Sequence, residues 1–209
     1  MVKVIVDIGS CHMAKLEYAK EAIDLAVENK CWAIKFQLFK DKSPNIVLPR
    51  EWWPELVDYA KDRIIIFASA FDLQAVELLK KYNSSYVKFS YSERHSWYNI
   101  MKAREFAKVI VSCDLLDLDK YKDDIKLFCR PQYPVTSLID FSIFKFPFDG
   151  FSDHTLGYSQ TLDAILYGAQ YIEKHITLDH DDIKCPDNTF ALKPKELKGM
   201  MEGIWNLDK

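Results

Sequence analysis

Glycine and proline are scarce in this chain, 6 and 8 among 209 residues, which excludes collagen-like and low-complexity disordered architectures. No apolar run approaches the roughly 18 residues that a membrane span needs. The best candidate, Ile64–Phe71, is strand-sized. Neither sign of charge dominates: 28 Lys and Arg face 31 Asp and Glu, a formal charge of −3 with a pI near 6.0. That balance gives no electrostatic case for wrapping nucleic acid. The 5 cysteines include no CxxC pair, and their odd number favours reduced thiols over a disulfide framework. The opening MVKVIV is broken by Asp7 and makes a poor signal peptide. What remains is a soluble, cytoplasmic globular protein, with 49% hydrophobic residues to build one large domain or two small ones.

Two kinds of segment alternate along the chain. Short β-branched or aromatic runs fall at Val2–Val6, Trp32–Phe36, Ile64–Ala68, Tyr86–Phe89, Val109–Val111, Ile125–Phe128, Phe148–Phe151 and Tyr171–Ile172. They are continuous rather than alternating, as expected of strands covered on both faces. Helical spacing lies between them: Leu16, Ala19, Ile23 and Ala26 share one face of Lys15–Asn29, and Ala75, Leu78 and Leu79 one face of Asp72–Lys81. Asp72 and Ser159 read as N-caps, and Pro194 as a first helical turn. Lys40–Pro49 reads as a loop. Eight strand-like runs interleaved with helices fit a (β/α)8 TIM barrel or an open doubly wound sheet; the count favours a compact barrel, a single domain over residues 1–209.

Polar residues gather where the strands end. Asp7 closes the first run, Lys35 and Gln37 the second, and Ser69 the third. Lys88, Ser90 and Glu93 follow in the fourth, Ser112 in the fifth, and Cys129 and Arg130, with Tyr133 nearby, in the sixth. Ser152-Asp153-His154 and Glu173-Lys174-His175 close the last two. In a parallel barrel all these ends open onto one mouth, where active sites are built. Each residue has a blander reading: a strand lysine can snorkel, and a strand-end serine can cap a helix. His12, His95 and His180 sit in polar contexts and read as surface or loop residues. The cysteines read as small core or loop thiols, and Trp52-Trp53 as packing at a helix start.

His154 and His175 are harder to assign to packing, because they end adjacent runs and each stands beside an acid. Two imidazoles flanked by Asp153 and Glu173 suit a first-row divalent metal, the acids orienting the rings or binding directly. Lys35 and Lys88 add positive charge for a small anion such as a phosphorylated carboxylate.

In this order, these residues resemble the sialic acid synthase family. The stretches that carry the resemblance are VDIGSCH, AIKFQLF, IIFASAFD, VKFSYSE, VIVSCDL, CRPQYP, GFSDHT, GAQYIEKHITLD and CPDNTFALKPKEL. The resemblance implies a barrel enzyme that condenses phosphoenolpyruvate with an amino-sugar aldehyde resembling N-acetylmannosamine. The products are a nonulosonic acid and phosphate. It also implies that His154 and His175 bind a divalent ion, manganese, with magnesium or cobalt as alternatives. That ion would polarise the aldehyde. Lys35, Gln37, Ser69, Lys88, Ser112 and Ser152 match phosphoenolpyruvate-binding positions, and Asp7, Glu93, Asp187 and Tyr133 match catalytic ones.

By the same resemblance the protein is a homodimer. The chain departs from the family pattern in having Asp7 for Glu, Pro131 for Asn, Tyr91 for Ser, Cys113-Asp114 for Thr-Gly and Cys185 for Gly. The family's small C-terminal antifreeze-like domain has no counterpart in these 209 residues. The alternatives are another phosphoenolpyruvate–sugar aldol synthase, a metal-dependent aldolase or hydrolase on the same barrel, or a ligand-binding barrel without catalysis.

Overall fold

The structure is a computed structural model that describes residues 1–40, 45–137, 139–145 and 147–207. Positions 41–44 of the loop expected at Lys40–Pro49 lie outside the described residues. Eight parallel strands close into a barrel in chain order: β1 (Lys3–Asp7), β2 (Ala33–Leu38), β3 (Ile65–Ala70), β4 (Tyr86–Phe89), β5 (Lys108–Cys113), β6 (Ile125–Cys129), β7 (Gly150–Asp153) and β8 (Tyr171–His175). The last strand pairs with the first, aligning Val6 with Lys174 and Asp7 with His175. That closure excludes the open doubly wound sheet. The strand expected at Phe148–Phe151 begins two residues later, at Gly150, and several strands run on into the polar residues that follow their apolar runs.

Helices α1 (Leu16–Glu28), α2 (Trp53–Ala60), α3 (Leu73–Lys81), α4 (Trp97–Arg104), α5 (Ser159–Leu166) and α6 (Pro194–Leu207) cover the outside. Among the described residues, the β5–β6 and β6–β7 crossovers carry short 3-10 turns, Leu118–Tyr121 and Phe141–Lys145, and no α-helix, which keeps the barrel small. Asp72 caps α3, its carboxylate accepting from the Ala75 N–H at 2.7 Å. Ser159 is not the expected cap: α5 begins on it, Tyr158 occupies the cap position, and no side chain there satisfies the helix N-terminus. Trp53 is fully buried at the start of α2, edge-on to Phe36. None of the helices among the described residues is long and apolar enough to cross a membrane.

The period-two alternation of a strand divides each run between two environments. Outward residues such as Val4, Val6, Ile34, Phe36, Val87, Val111 and Ile172 pack under the helices in one large core. Inward, the lower half of the barrel is a separate apolar plug of Ile5, Ala33, Phe67, Ile110 and Leu127. Two residues further along the strands the inward positions change character, to Asp7, Lys35, Ser69, Ser112, Cys129 and their neighbours. The apolar plug is therefore the floor on which the polar layer sits.

Candidate active site at the barrel mouth

Asp7, Lys35, Gln37, Ser69, Lys88, Ser112, Tyr133, Ser152, His154, His175 and Asp187 line one cavity of about 340 Å³ at the C-terminal mouth, together with Glu173. Glu93 does not line it. Its carboxylate accepts from the Ser96 hydroxyl at 2.7 Å, just before α4.

A continuous buried charge network forms the cavity floor. Lys35 Nζ donates to Asp7 Oδ2 and to Ser69 Oγ (3.2 Å), and lies 3.7 Å from Glu173 Oε2. Gln37 Nε2 donates to the same Asp7 oxygen at 2.7 Å. Lys88 Nζ donates to Ser112 Oγ at 2.7 Å and lies 3.5 Å from Glu173 Oε1, which also accepts from Ser152 Oγ at 2.8 Å. Two lysines and two carboxylates thus share one desolvated layer.

Their protonation follows from who faces whom. Burial alone would raise the Asp7 carboxyl, but the charges of Lys35 and His175 and the bonds from Lys35 and Gln37 hold it well below the usual carboxylate range. Glu173 is likewise held down against burial by the two lysines. For Lys35, burial lowers the ammonium but Asp7 and Glu173 more than restore it, so it is raised. At Lys88 burial wins over the single carboxylate, and the ammonium is pushed down. The two lysines are therefore not equivalent: one is locked in an ion pair, the other is short of negative charge.

Above this floor His154 and His175 stand with ring centroids 5.5 Å apart, flanked by Phe190, and Tyr133 lies against His154 at 4.2 Å. Burial, and then the neighbouring His175, push His154 down to about 3, so it is a neutral ring. Its Nδ1–H donates to the Arg130 carbonyl at 3.3 Å, leaving the lone pair on Nε2. His175 Nε2 faces Asp7 Oδ2 at 3.4 Å, while its buried Nδ1 has no hydrogen-bond partner. Two buried imidazoles with ring centroids 5.5 Å apart, one a neutral ring and one with an unpartnered nitrogen, are residues that could serve as ligands to a divalent metal. Asp187 approaches from the β8–α6 connection, its Oδ2 accepting from the Ser10 N–H at 2.6 Å. Gly9 makes this approach feasible. With φ +50°, it has no side chain, and a Cβ there would fall 2.3 Å from Asp187 Oδ2 and 3.1 Å from His175 Nδ1.

Of the two acids expected beside the histidines, only Glu173 turns inward. Asp153 points outward, where it accepts from Thr161 Oγ1 at 2.6 Å and pairs with Lys174 at 3.0 Å. The signal was available, since Glu173 and His175 are two residues apart on one strand while Asp153 and His154 are adjacent. His12 also departs from expectation: it is fully buried rather than on the surface, with Nδ1 accepting from the Ala14 N–H and Nε2 unpaired. Phe39, Phe71, Ser92 and Phe190, which carry no signal in the sequence, also line the cavity.

Fold and mouth together define the class: a parallel (β/α)8 barrel with paired lysines, paired carboxylates and two imidazoles at the end where such barrels build their active sites. Residues 141–209 match the model of the NeuB family. The chain is 26% identical to the N,N'-diacetyllegionaminic acid synthase of Campylobacter jejuni, over 99% of this chain and 76% of that one. It is 29% identical to the spore coat polysaccharide biosynthesis protein SpsE of Bacillus subtilis, over 97% and 66%, and superposes on the SpsE crystal structure with a TM-score of 0.87. The N-acetylneuraminic acid synthetase of Leptospira borgpetersenii superposes with a TM-score of 0.88 at 24% identity, covering 99% of this chain and 83% of that one; this likeness speaks for the fold. The resemblance to the sialic acid synthase family therefore stands.

Proposed function

We propose that this chain condenses phosphoenolpyruvate with the aldehyde of an N-acetylated amino sugar resembling N-acetylmannosamine, giving a nonulosonic acid and phosphate. The observation that carries the reading is the pair of buried lysines sharing one cavity with two imidazoles. Phosphoenolpyruvate presents two anionic groups, and two desolvated ammonium groups backed by Ser69, Ser112 and Ser152 suit their recognition. Lys88, with less negative charge around it, gains most from an incoming anion.

On this reading carbon 3 of phosphoenolpyruvate attacks the aldehyde carbon and carbon 2 becomes cationic. Water then adds at carbon 2, and phosphate leaves the tetrahedral intermediate. Asp7 and Glu173, held ionised by the lysines, face the developing cation with fixed negative charge. Asp187, whose carboxylate accepts from the Ser10 N–H, would position water or carry a proton, and Tyr133 would hydrogen-bond the bound substrates; Glu93, expected among the catalytic residues, is tied to Ser96 off the cavity wall and has no role in this reading. A divalent ion held by His154 and His175, manganese in this reading with magnesium or cobalt as alternatives, would supply Lewis acidity toward the sugar carbonyl. A cytoplasmic homodimer built from a single barrel domain completes the proposal.

The test is phosphate release from phosphoenolpyruvate with N-acetylmannosamine and related N-acetylated aldoses, with manganese and with a chelator. Sugar-dependent release that the chelator abolishes supports the reading. Release with non-acetylated aldoses alone would assign a different aldol synthase, and absence of phosphoenolpyruvate binding with manganese present would overturn both.

A further inference from the structure

The first and last loops of the barrel mouth meet at two thiols that the proposed reaction does not use. Cys11 follows β1, and Cys185 opens the turn that carries Asp187. Their sulfur atoms lie 2.8 Å apart although the residues are separated by 174 positions in the chain. Cys11 is fully buried, and Cys185 keeps 7% of its surface. With an Asp187 oxygen they form a cluster whose candidate ligand atoms all lie within 4.8 Å of one another.

Two chemistries compete for such a cluster. A soft divalent ion holding two thiolates tetrahedrally at about 2.3 Å would keep the sulfurs roughly 3.8 Å apart. The observed separation is well inside that and within about 1 Å of a disulfide bond.

We propose that Cys11 and Cys185 are a thiol pair that a hydroperoxide closes to a disulfide, stapling the first loop of the barrel to the last. Cys185, the less buried of the two, attacks the peroxide as thiolate. The O–O bond breaks, hydroxide leaves, and Cys185 becomes a sulfenic acid. The Cys11 sulfur then displaces the sulfenic oxygen, which departs as water with the Cys11 proton. The two sulfurs together lose the two electrons that reduce the peroxide. The bond fastens the β1–β8 seam beside the turn that holds Asp187 against Ser10. This inference does not depend on the proposed reaction.

The full chain is treated with stoichiometric hydrogen peroxide, its remaining thiols are alkylated, and peptides are mapped by mass spectrometry. We expect a Cys11–Cys185 peptide lighter by two hydrogens and a melting temperature higher by on the order of 10 °C, both reversed by dithiothreitol. Cys11→Ser and Cys185→Ser should each abolish the link and the shift, whereas Cys31→Ser should preserve both. Oxidation confined to other cysteines, or a linked chain that melts no higher, would overturn the proposal. So would a pair that resists peroxide but takes up one equivalent of zinc.

Discussion

Replacing Glu173 by Gln keeps the shape of the cavity floor and removes one charge. In the structure that charge faces two ammonium groups, Lys88 at 3.5 Å and Lys35 at 3.7 Å. At an effective dielectric near 20, a unit charge at that range is worth roughly 5 kcal/mol to its partner. Lys35 retains Asp7, so most of the loss falls on Lys88, which is left with a hydroxyl and a carbonyl as partners. Lys88 limits the damage by releasing its proton, and the expected net cost at pH 7 is about 3–5 kcal/mol. For a chain of this size that lowers the melting temperature by about 10 °C.

The pH dependence has a definite sign. Burial already lowers Lys88, and the substitution lowers it further, so the folded state binds fewer protons than the unfolded chain between the folded value and the ordinary lysine value of about 10.4. Stability rises with pH through that window, and it does so over a wider window in the variant. The deficit against wild type should therefore shrink between pH 7 and pH 9.5 in urea unfolding. Phosphoenolpyruvate, by supplying the missing negative charge, should stabilise the variant more than it stabilises the wild type. Asp153→Asn is the control: it breaks the buried Lys174 pair on the outer face and should cost comparable stability with no such rescue. A Glu173→Gln variant that loses less than about 1 kcal/mol, with no narrowing at high pH, would refute the reasoning.

Four further outcomes can be checked independently. His12 is buried and pushed down to about 4 by burial, so stability should fall as pH drops from about 6.5 toward that value, by at most about 1.4 kcal/mol per pH unit for this residue. His12→Gln should flatten the urea-unfolding profile, and an unchanged slope would count against the burial. His154→Ala or His175→Ala should abolish manganese binding measured calorimetrically while circular dichroism stays native; retained binding in either would remove it from the ligand set. Lys88→Met should weaken phosphoenolpyruvate about 10- to 100-fold in titration, as expected for one charge-assisted contact. Gly9→Ala forces the Asp187 carboxylate aside and crowds His175 Nδ1, so turnover should fall, and equal activity would mean that both groups can shift freely.

The barrel and most of its mouth were legible because two periodicities coincide in this chain. Apolar runs mark the strands, and each changes to a polar residue where the strand leaves the apolar plug, as at Ile5 to Asp7, Phe67 to Ser69 and Ile110 to Ser112. The alternation within a strand also separates Glu173 from Asp153. What one strand cannot reveal is its neighbour across the sheet, because the stagger of the barrel sets that pairing. Asp7 aligns with Lys35 and with His175, whereas Lys35 aligns with Phe67 rather than Ser69. Lys35 and Lys88 hold equivalent register positions, and their unequal surroundings come from the residue each meets on the preceding strand, Asp7 for Lys35 and Ser69 for Lys88. His12 departs from the surface expectation because the first loop is packed away from water, with Ile8, Ser10, Cys11 and His12 all fully buried.

The charges of the cavity floor bear on whether the proposed metal and phosphoenolpyruvate sites are separable. Asp7 and Glu173 balance Lys35 and Lys88, so the floor is formally neutral, and His154 adds nothing because burial keeps it uncharged. Phosphoenolpyruvate brings about −3, from a carboxylate and a phosphate carrying −1.5 to −2. A desolvated cavity taking up that charge without compensation carries a steep electrostatic cost. Proton uptake on the acids is disfavoured, since both are held ionised against burial. On the proposed reading a divalent ion at the two imidazoles above would supply compensating positive charge. On the proposed reading the two ligands therefore bind with positive coupling, each tightening the other by the same factor. A chelator should weaken phosphoenolpyruvate even when no sugar is present, and equal affinity with and without manganese would show that the floor manages the anion alone.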